Sequence, residues 1–172
     1  MPIVPTPGTI VKERDIREAA KVGRASAAAF GEAAAACAAE RLGKPVRRGT
    51  PAHGSPSHVV TGMAALVGLT GDLQGRLMLD FDPGAVSAMV GASAEDRLGV
   101  AELAEEVTGR AVAILRSAGV RIAATPPMVF TGSNLEVTNS RMETVAVPIE
   151  IPDGTLVVSL AAREEGPDRG AR

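Results

Sequence analysis

The chain has 172 residues, enough for one domain with a real core. It is 45% hydrophobic but only 2% aromatic, with no Trp and no Tyr, so the core must be packed from Ala, Val, Leu, Ile and Met. A net charge of -2 argues against a general nucleic-acid binder, and the lack of an aromatic platform argues against single-stranded binding. Residues 1–9, MPIVPTPGT, are Pro-rich and expected to be extended, without the basic flank and apolar run of a signal peptide. No apolar stretch reaches the ~18 residues of a membrane span, and a soluble, cytoplasmic protein is expected.

Residues 10–42 are Ala-rich and predict a long helix, with Ile16, Ala19, Ala20, Val22 and Phe30 on its apolar face and Gly43 and Pro45 ending it. Gly23 and Gly31 mark close packing or a kink. Cys37, the lone cysteine, lies in this helix. It can form no intrachain disulfide, which suits a reducing compartment, and is expected to be a buried, inert thiol. Residues 45–54 read as an edge strand weakened by prolines. Residues 58–67 and 75–81 predict a hairpin around Gly68–Gly75, with Leu77 and Leu79 on one face and Arg76, Met78 and Asp80 on the other. Asp82 caps a short helix over 83–91, with Pro83 at its first position.

The segment Arg97 to Gly119 predicts the second long helix, with Ser93 and Asp96 as a capping box and Gly119 as its stop. Ala101, Ala104, Val107, Ala111, Ile114 and Ala118 recur at spacings of three and four and form its apolar face. Glu102, Glu105 and Gly109 make one line on the other face: two carboxylates, then a position with no side chain. Arg110 lies one turn from Glu106 and is placed to pair with it. Strands follow near 120–124, over 128–137 with a turn or bulge at Ser133 and Asn134, over 143–151, and over 155–162 after the tight turn Pro152-Asp153-Gly154. The remaining tail is charged and Gly-rich, with too little apolar surface to fold.

The order contains a repeat. A long helix, a segment running from a Gly (43 or 119) to a Thr-Pro and then strands occur twice, with Thr50 and Thr125 offset by 125 − 50 = 75 residues. An α+β fold is expected: a two-layer sandwich of two long helices on an antiparallel sheet formed by two pseudo-repeated halves, about 10–92 and 93–162, in a single domain over 1–162, with 163–172 a disordered tail.

A solvated helix face, with acids favoured near a helix N-terminus, is the plain alternative for Glu102, Glu105 and Glu106. His53 and His58 lack further ligands and are expected to be surface histidines, and no metal site is expected. Gly68–Gly75 lacks the Lys-Ser/Thr of a phosphate loop and joins two strands, so hairpin geometry explains its glycines. No Ser/His/Asp arrangement suggests a hydrolytic triad.

Three segments carry a resemblance to a known family. They are Gly68-Leu69-Thr70-Gly71-Asp72-Leu73-Gln74-Gly75 followed by RLMLDF, the helix ELAEEVTGRAVAIL, and Pro127-Met128-Val129-Phe130-Thr131-Gly132. The helix is similar to an E-x-x-N-x-x-x-G pattern and the third segment to Pro-x-Val-x-x-Gly. Together they resemble the CheX branch of the CheC/CheX/FliY chemotaxis phosphatases, which dephosphorylate the response regulator CheY. The resemblance implies that Glu102 docks on a lysine of the regulator and that Glu105 stands where the family uses an Asn to orient the attacking water. It implies catalytic roles for Glu102 and Glu105 and a partner surface of Glu102, Glu106, Gly109 and Pro127. It also implies no cofactor of the chain's own, Mg²⁺ being carried by the regulator, and a homodimer, which an Ala- and Val-rich sheet edge also invites.

The departure at Glu105 can be weighed. An Asn amide is neutral and both donates and accepts, whereas a carboxylate is an acceptor only. Against a phosphoryl group at ~4 Å and an effective dielectric near 20, the like charges cost on the order of 4 kcal/mol, roughly a thousandfold in rate. Mg²⁺ offsets part of this, and Glu105 could serve as general base. Two functions follow: dephosphorylation of a CheY-type phosphoaspartate, or a catalytically degenerate CheX-like module that engages a receiver domain without hydrolysis. A structural oligomer subunit outside phosphosignalling is a third.

Overall fold

A computed structural model describes residues 13–54, 57–91, 96–132, 134–139 and 141–163, with side chains from Val22 onward. The expected extended segment 1–9, the apolar residues Ile16, Ala19 and Ala20, the capping role of Ser93, the turn at Ser133 and the tail beyond Arg163 lie outside what is described.

Among the described residues the fold is α+β, with three helices and an antiparallel sheet. Helix α1 (Glu13–Leu42) buries Phe30, Ala33, Ala34, Cys37 and Ala38, the three-and-four spacing of a helix lying on a core. Its small residues let it approach both the sheet and helix α3 (Asp96–Ser117) closely. Gly43, at φ +63°, ends it, a left-handed position that costs glycine nothing. Helix α2 (Pro83–Met89) is capped as expected. Asp82 Oδ1 accepts from the Ala85 N–H at 2.8 Å, and its Oδ2 accepts from the Thr155 N–H at 2.9 Å. The helix stops two residues earlier than expected, with Gly91 at φ +101°.

The main sheet uses β1 (Arg47–Arg48), β2 (Ala52–His53), β4 (Met63–Gly71), β5 (Gly75–Phe81), β6 (Ile122–Ala124), β7 (Met128–Thr131), β9 (Met142–Ile151) and β10 (Gly154–Arg163). The order is β1-β9-β10-β5-β4-β6, with β2 also on β9 and β7 also on β4, every pairing antiparallel. Outward from the central β10–β5 pair, each side adds the hairpin partner (β9 or β4). Short edge strands then follow, delivered by the end of a long helix. Leu77, Leu79, Phe81, Leu156, Val158, Leu160, Val147 and Ile149 face the helices and are buried.

Four expectations need correction. The 45–54 strand is two short pieces, because the chain leaves the ladder between Gly49, whose N–H bonds Pro148 O at 2.7 Å, and Ala52. The 58–67 strand breaks at Thr61-Gly62, and the 128–137 strand breaks after Thr131, with Asn134 at φ 67°. At Gly62 a Cβ would meet Phe81 O at 2.4 Å, so only glycine lets the chain turn there. The freed pieces, β3 (Ser57–Val60) and β8 (Leu135–Thr138), pair with each other as a separate ribbon. The hairpin loop is also shorter than expected: β4 runs on to Gly71, leaving Asp72–Gln74 as the turn. On the face of β5 opposite Leu77 and Leu79, Met78 and Asp80 are 3% and 8% exposed. The ribbon covers them: Val60, Ala64 and Met78 form a second small core, with Leu66 and Val137 against it. Arg76 donates to Asn139 Oδ1 and to Thr138 O, both at 2.6 Å.

Candidate functional site

Helix α3 buries only part of the face expected from its sequence: Ala104, Val107 and Ala111 are buried as expected. Val100, Leu103, Ala104, Val107, Thr108, Ala111 and Leu115 are buried, whereas Ile114 is 38% exposed and Ala118 is exposed. The helix packs against α1 on one side and against β4, β6 and β7 on the other, so its buried arc is wider than one stripe and centred on Leu103, Val107 and Ala111. Alanines at 101, 113 and 118 fit either face and gave the pattern no direction.

The opposite stripe survives this rotation. Leu98, Glu102, Glu105, Gly109 and Val112 follow one another at spacings of three and four along the outer side of α3. Leu98 is 63% exposed, and Glu102 and Glu105 are exposed. Among the described residues neither of these two carboxylates has a hydrogen bond or an ion pair. Gly119, at φ +83°, ends the segment as expected, and the Val120 N–H returns to Leu115 O at 2.9 Å.

Glu106 lies elsewhere. It accepts from Arg110 at 3.1 Å and lies 3.6 Å from Arg41, so it joins α3 to α1 rather than lining the stripe. Arg110 also donates to both oxygens of Glu40, at 2.9 and 2.5 Å. The Arg110–Glu106 pair was legible at i, i+4; Glu40 and Arg41, some seventy positions away, were not. Arg110 holds the Glu40 carboxyl below its usual range. Beneath this network Cys37 is fully buried; burial first, and then the negative charge of Glu106, pushes its thiol up to about 11, which suits an unreactive core residue.

Beside the acid stripe lies a groove of about 370 Å³ between α3 and the β6–β7 connection. Val67 and Ile122, both buried, form its floor, Val112 and Pro127 its walls, and Glu105 and Gly109 its rim. The connection is held rigidly to β4: the Thr125 N–H bonds Gly68 O at 2.9 Å and the Gly68 N–H bonds Thr125 Oγ1 at 2.8 Å. Asp72 ties in the start of the same segment by accepting from the Arg121 N–H at 2.8 Å. The structure therefore brings Glu105, Gly109 and Pro127 together, sets Glu102 one turn along, and leaves Glu106 on the α1 side. Thr108 also lines the groove; its hydroxyl is buried with no hydrogen-bond partner among the described residues.

The histidines separate. His53 is exposed, 3.6 Å from Glu143. His58, expected on the surface, is half-buried and hydrogen-bonded to Asp80. Burial raises the Asp80 carboxyl, and the His58 bond opposes that rise. Among the described residues no three metal-binding side chains cluster, and no helix is long and apolar enough to cross a membrane.

Comparison with curated proteins gives no match. Among solved structures, the fold is similar to the chemotaxis protein CheX from Desulfovibrio desulfuricans, at 21% identity over 80% of this chain and 99% of that one, TM-score 0.72. It is also similar to the CheX of a CheX–CheY–BeF₃–Mg²⁺ complex from Borrelia burgdorferi, at 25% identity over 79% and 96%, TM-score 0.64. A more distant likeness is the FliM middle domain from H. pylori, at 11% identity over 89% and 94%, TM-score 0.58. The family model described as chemotaxis phosphatase CheX matches residues 63–150, from β4 through α3 and Pro127 into β9. The chain belongs to the CheX family of chemotaxis phosphatases.

Proposed function

We propose that this protein engages the receiver domain of a CheY-type response regulator through the outer stripe of α3 and acts on its phosphoaspartate. One observation carries this: Glu102 and Glu105 stand exposed and unpaired on neighbouring turns, with Glu105 at the edge of a groove walled by Pro127. Membership of the family supports it, as does the Borrelia burgdorferi relative, whose structure is a complex with CheY. An acyl phosphate is already reactive, so a phosphatase chiefly has to hold a water in line with the phosphorus. Glu102 offers a carboxylate to a cation of the receiver. Glu105 stands at the water, where it can orient it only by accepting and can take its proton as general base. Mg²⁺ bound by the receiver reduces the like-charge cost of bringing Glu105 near the phosphoryl oxygens. In this reading the protein is cytoplasmic, has no metal of its own and pairs as a homodimer; a monomeric mass in solution scattering at tens of micromolar would count against the dimer.

A second reading, engagement without hydrolysis, is favoured by the position of Arg110. It is the next cation along α3, but it is bound to Glu40 and Glu106 and does not neutralise Glu105. Phosphate release from a phosphorylated receiver domain of the same organism separates the two. Acceleration by the wild type that is lost in Glu102→Ala supports the phosphatase. No acceleration by the wild type, with a gain in Glu105→Asn, supports the binding module. Silence from all three removes the phosphoaspartate from both.

A further inference from the structure

We propose that the groove beside Glu105 receives an apolar side chain of the receiver domain, and that residue 109 is glycine to admit it. This rests on the receiver-domain reading above, and goes beyond it by naming what the partner must present.

The first support is the glycine itself. Gly109 lies in the middle of α3, where glycine weakens a helix. Its φ is not in the left-handed region, so the backbone does not require it. A Cβ built on it meets nothing within 4 Å, so packing inside the protein does not require it either. Two other helical glycines differ: a Cβ at Gly99 would lie 2.1 Å from Val90 Cγ1, and one at Gly31 would lie 3.0 Å from Val147 Cγ1; Gly23 shares the open space but does not line the groove. The space at Gly109 opens on the groove, and an incoming group is what a bare backbone there accommodates.

The second support is the chemistry of the groove. Its floor and walls are Val67, Ile122, Val112 and Pro127, and the Thr108 hydroxyl is buried. A small-molecule site needs several converging polar groups; among the described residues this groove has the Glu105 carboxylate at the mouth, the buried Thr108 hydroxyl, and Thr125, whose hydroxyl already accepts from the Gly68 N–H. The groove continues directly into the stripe of Glu102 and Glu105, whose unpaired charges call for a cation on whatever docks. Glu102 and Gly109 are seven residues apart, about 10 Å along the helix axis. The occupant is thus a protein surface carrying a Lys or Arg and an apolar side chain about 10 Å apart, the cation over the acids and the apolar group in the groove.

The test uses the full chain and its receiver domain activated with beryllofluoride. Calorimetry gives the affinity for the wild type, Gly109→Leu, Gly109→Ala, Glu102→Ala and Gly23→Leu, the last at a helical glycine with open space that lies outside the groove. Methyl NMR follows Val67, Val112 and Ile122 during the titration. Gly109→Leu is expected to weaken binding about tenfold or more, the worth of one buried apolar side chain, Gly109→Ala to weaken it less, and Gly23→Leu to leave it unchanged. The three methyl groups are expected to shift in the wild-type complex, a readout that stands even if Gly109→Leu folds poorly. Wild-type affinity in Gly109→Leu and still methyl groups, with binding lost in Glu102→Ala, would overturn the groove and leave the receiver reading intact. No binding by the wild type would remove both. Methyl shifts with benzene but not with the receiver would make this a small-molecule pocket and overturn the proposed occupant.

Discussion

Arg110 grips both carboxylate oxygens of Glu40, at 2.9 and 2.5 Å, and so is held to α1 instead of standing over the acid stripe of its own helix. The same guanidinium also donates to Glu106 Oε1 at 3.1 Å. Three charged groups that helix periodicity would assign to solvent therefore act as a clasp between the two long helices, and the charge of Glu105 is left to meet the partner.

Arg110→Ala is expected to lower the melting temperature in low salt, because Glu40 and Glu106 then lie close with only Arg41 to balance them. The difference should narrow in molar salt, as it must for a partly exposed network. It should also fade with acid. Arg110 holds the Glu40 carboxyl below its usual range, so the contribution is present above the unfolded-state pKa and is lost as pH falls through the folded one. Thermal melts of the two proteins across salt and pH check both.

Gly109→Ala is expected to stabilise the protein by about 0.5–1 kcal/mol, since alanine is the better helix residue and its Cβ meets nothing. Gly84→Ala should do the opposite. Its Cβ would lie 1.8 Å from Asp153 O, and a backbone carbonyl cannot step aside cheaply. Denaturant titrations of the two variants should therefore shift in opposite directions.

Asp82→Ala is expected to cost about 1–2 kcal/mol from the lost cap alone, and more because the Thr155 N–H loses its acceptor as well. Asp82→Asn keeps one acceptor oxygen and should fall between the alanine variant and the wild type. Urea midpoints at constant slope measure this.

At Asp80 the effect of burial exceeds that of the His58 bond, and the carboxyl is raised. A raised acid favours the folded state below its unfolded-state pKa, and that advantage is lost as pH rises through the folded one. Asp80→Asn, which carries no charge, should therefore melt higher than the wild type at pH 7 and lose that lead in acid, where the wild-type carboxyl is protonated. His58→Ala leaves the buried carboxylate without its partner and should melt lower at pH 7. Melting curves from pH 3 to pH 8 would show the crossing or its absence.

Local chemistry made much of this legible. Gly43 and Gly119 stop the long helices by adopting positive φ, Asp82 and Pro83 open the short one, and Pro152–Asp153 joins β9 to β10. The stripe of Glu102, Glu105 and Gly109 could be drawn from spacing, because a helix fixes which residues are neighbours whatever it packs on. The buried face of α3 could not be drawn so well. Leu103 and Leu115 are buried while Ile114 is half-open, a choice made by two packing partners at once.

The sequence by itself determined the long helices and their stops at Gly43 and Gly119, the Asp82 cap and the line of carboxylates, since each depends on residues within a turn or two of one another. The tertiary structure alone decided the rest. The ribbon of β3 and β8 folds over Met78 and Asp80 and makes a second core on the far face of the sheet. The groove forms because β6 and β7 pair with β4, which sets Val67, Ile122 and Pro127 against Glu105 and Gly109. Arg110 turns away from that groove because Glu40 waits on a helix seventy residues earlier. The physical reason is the same in each case: these contacts join segments far apart in the chain, and periodicity carries no information about which faces will meet.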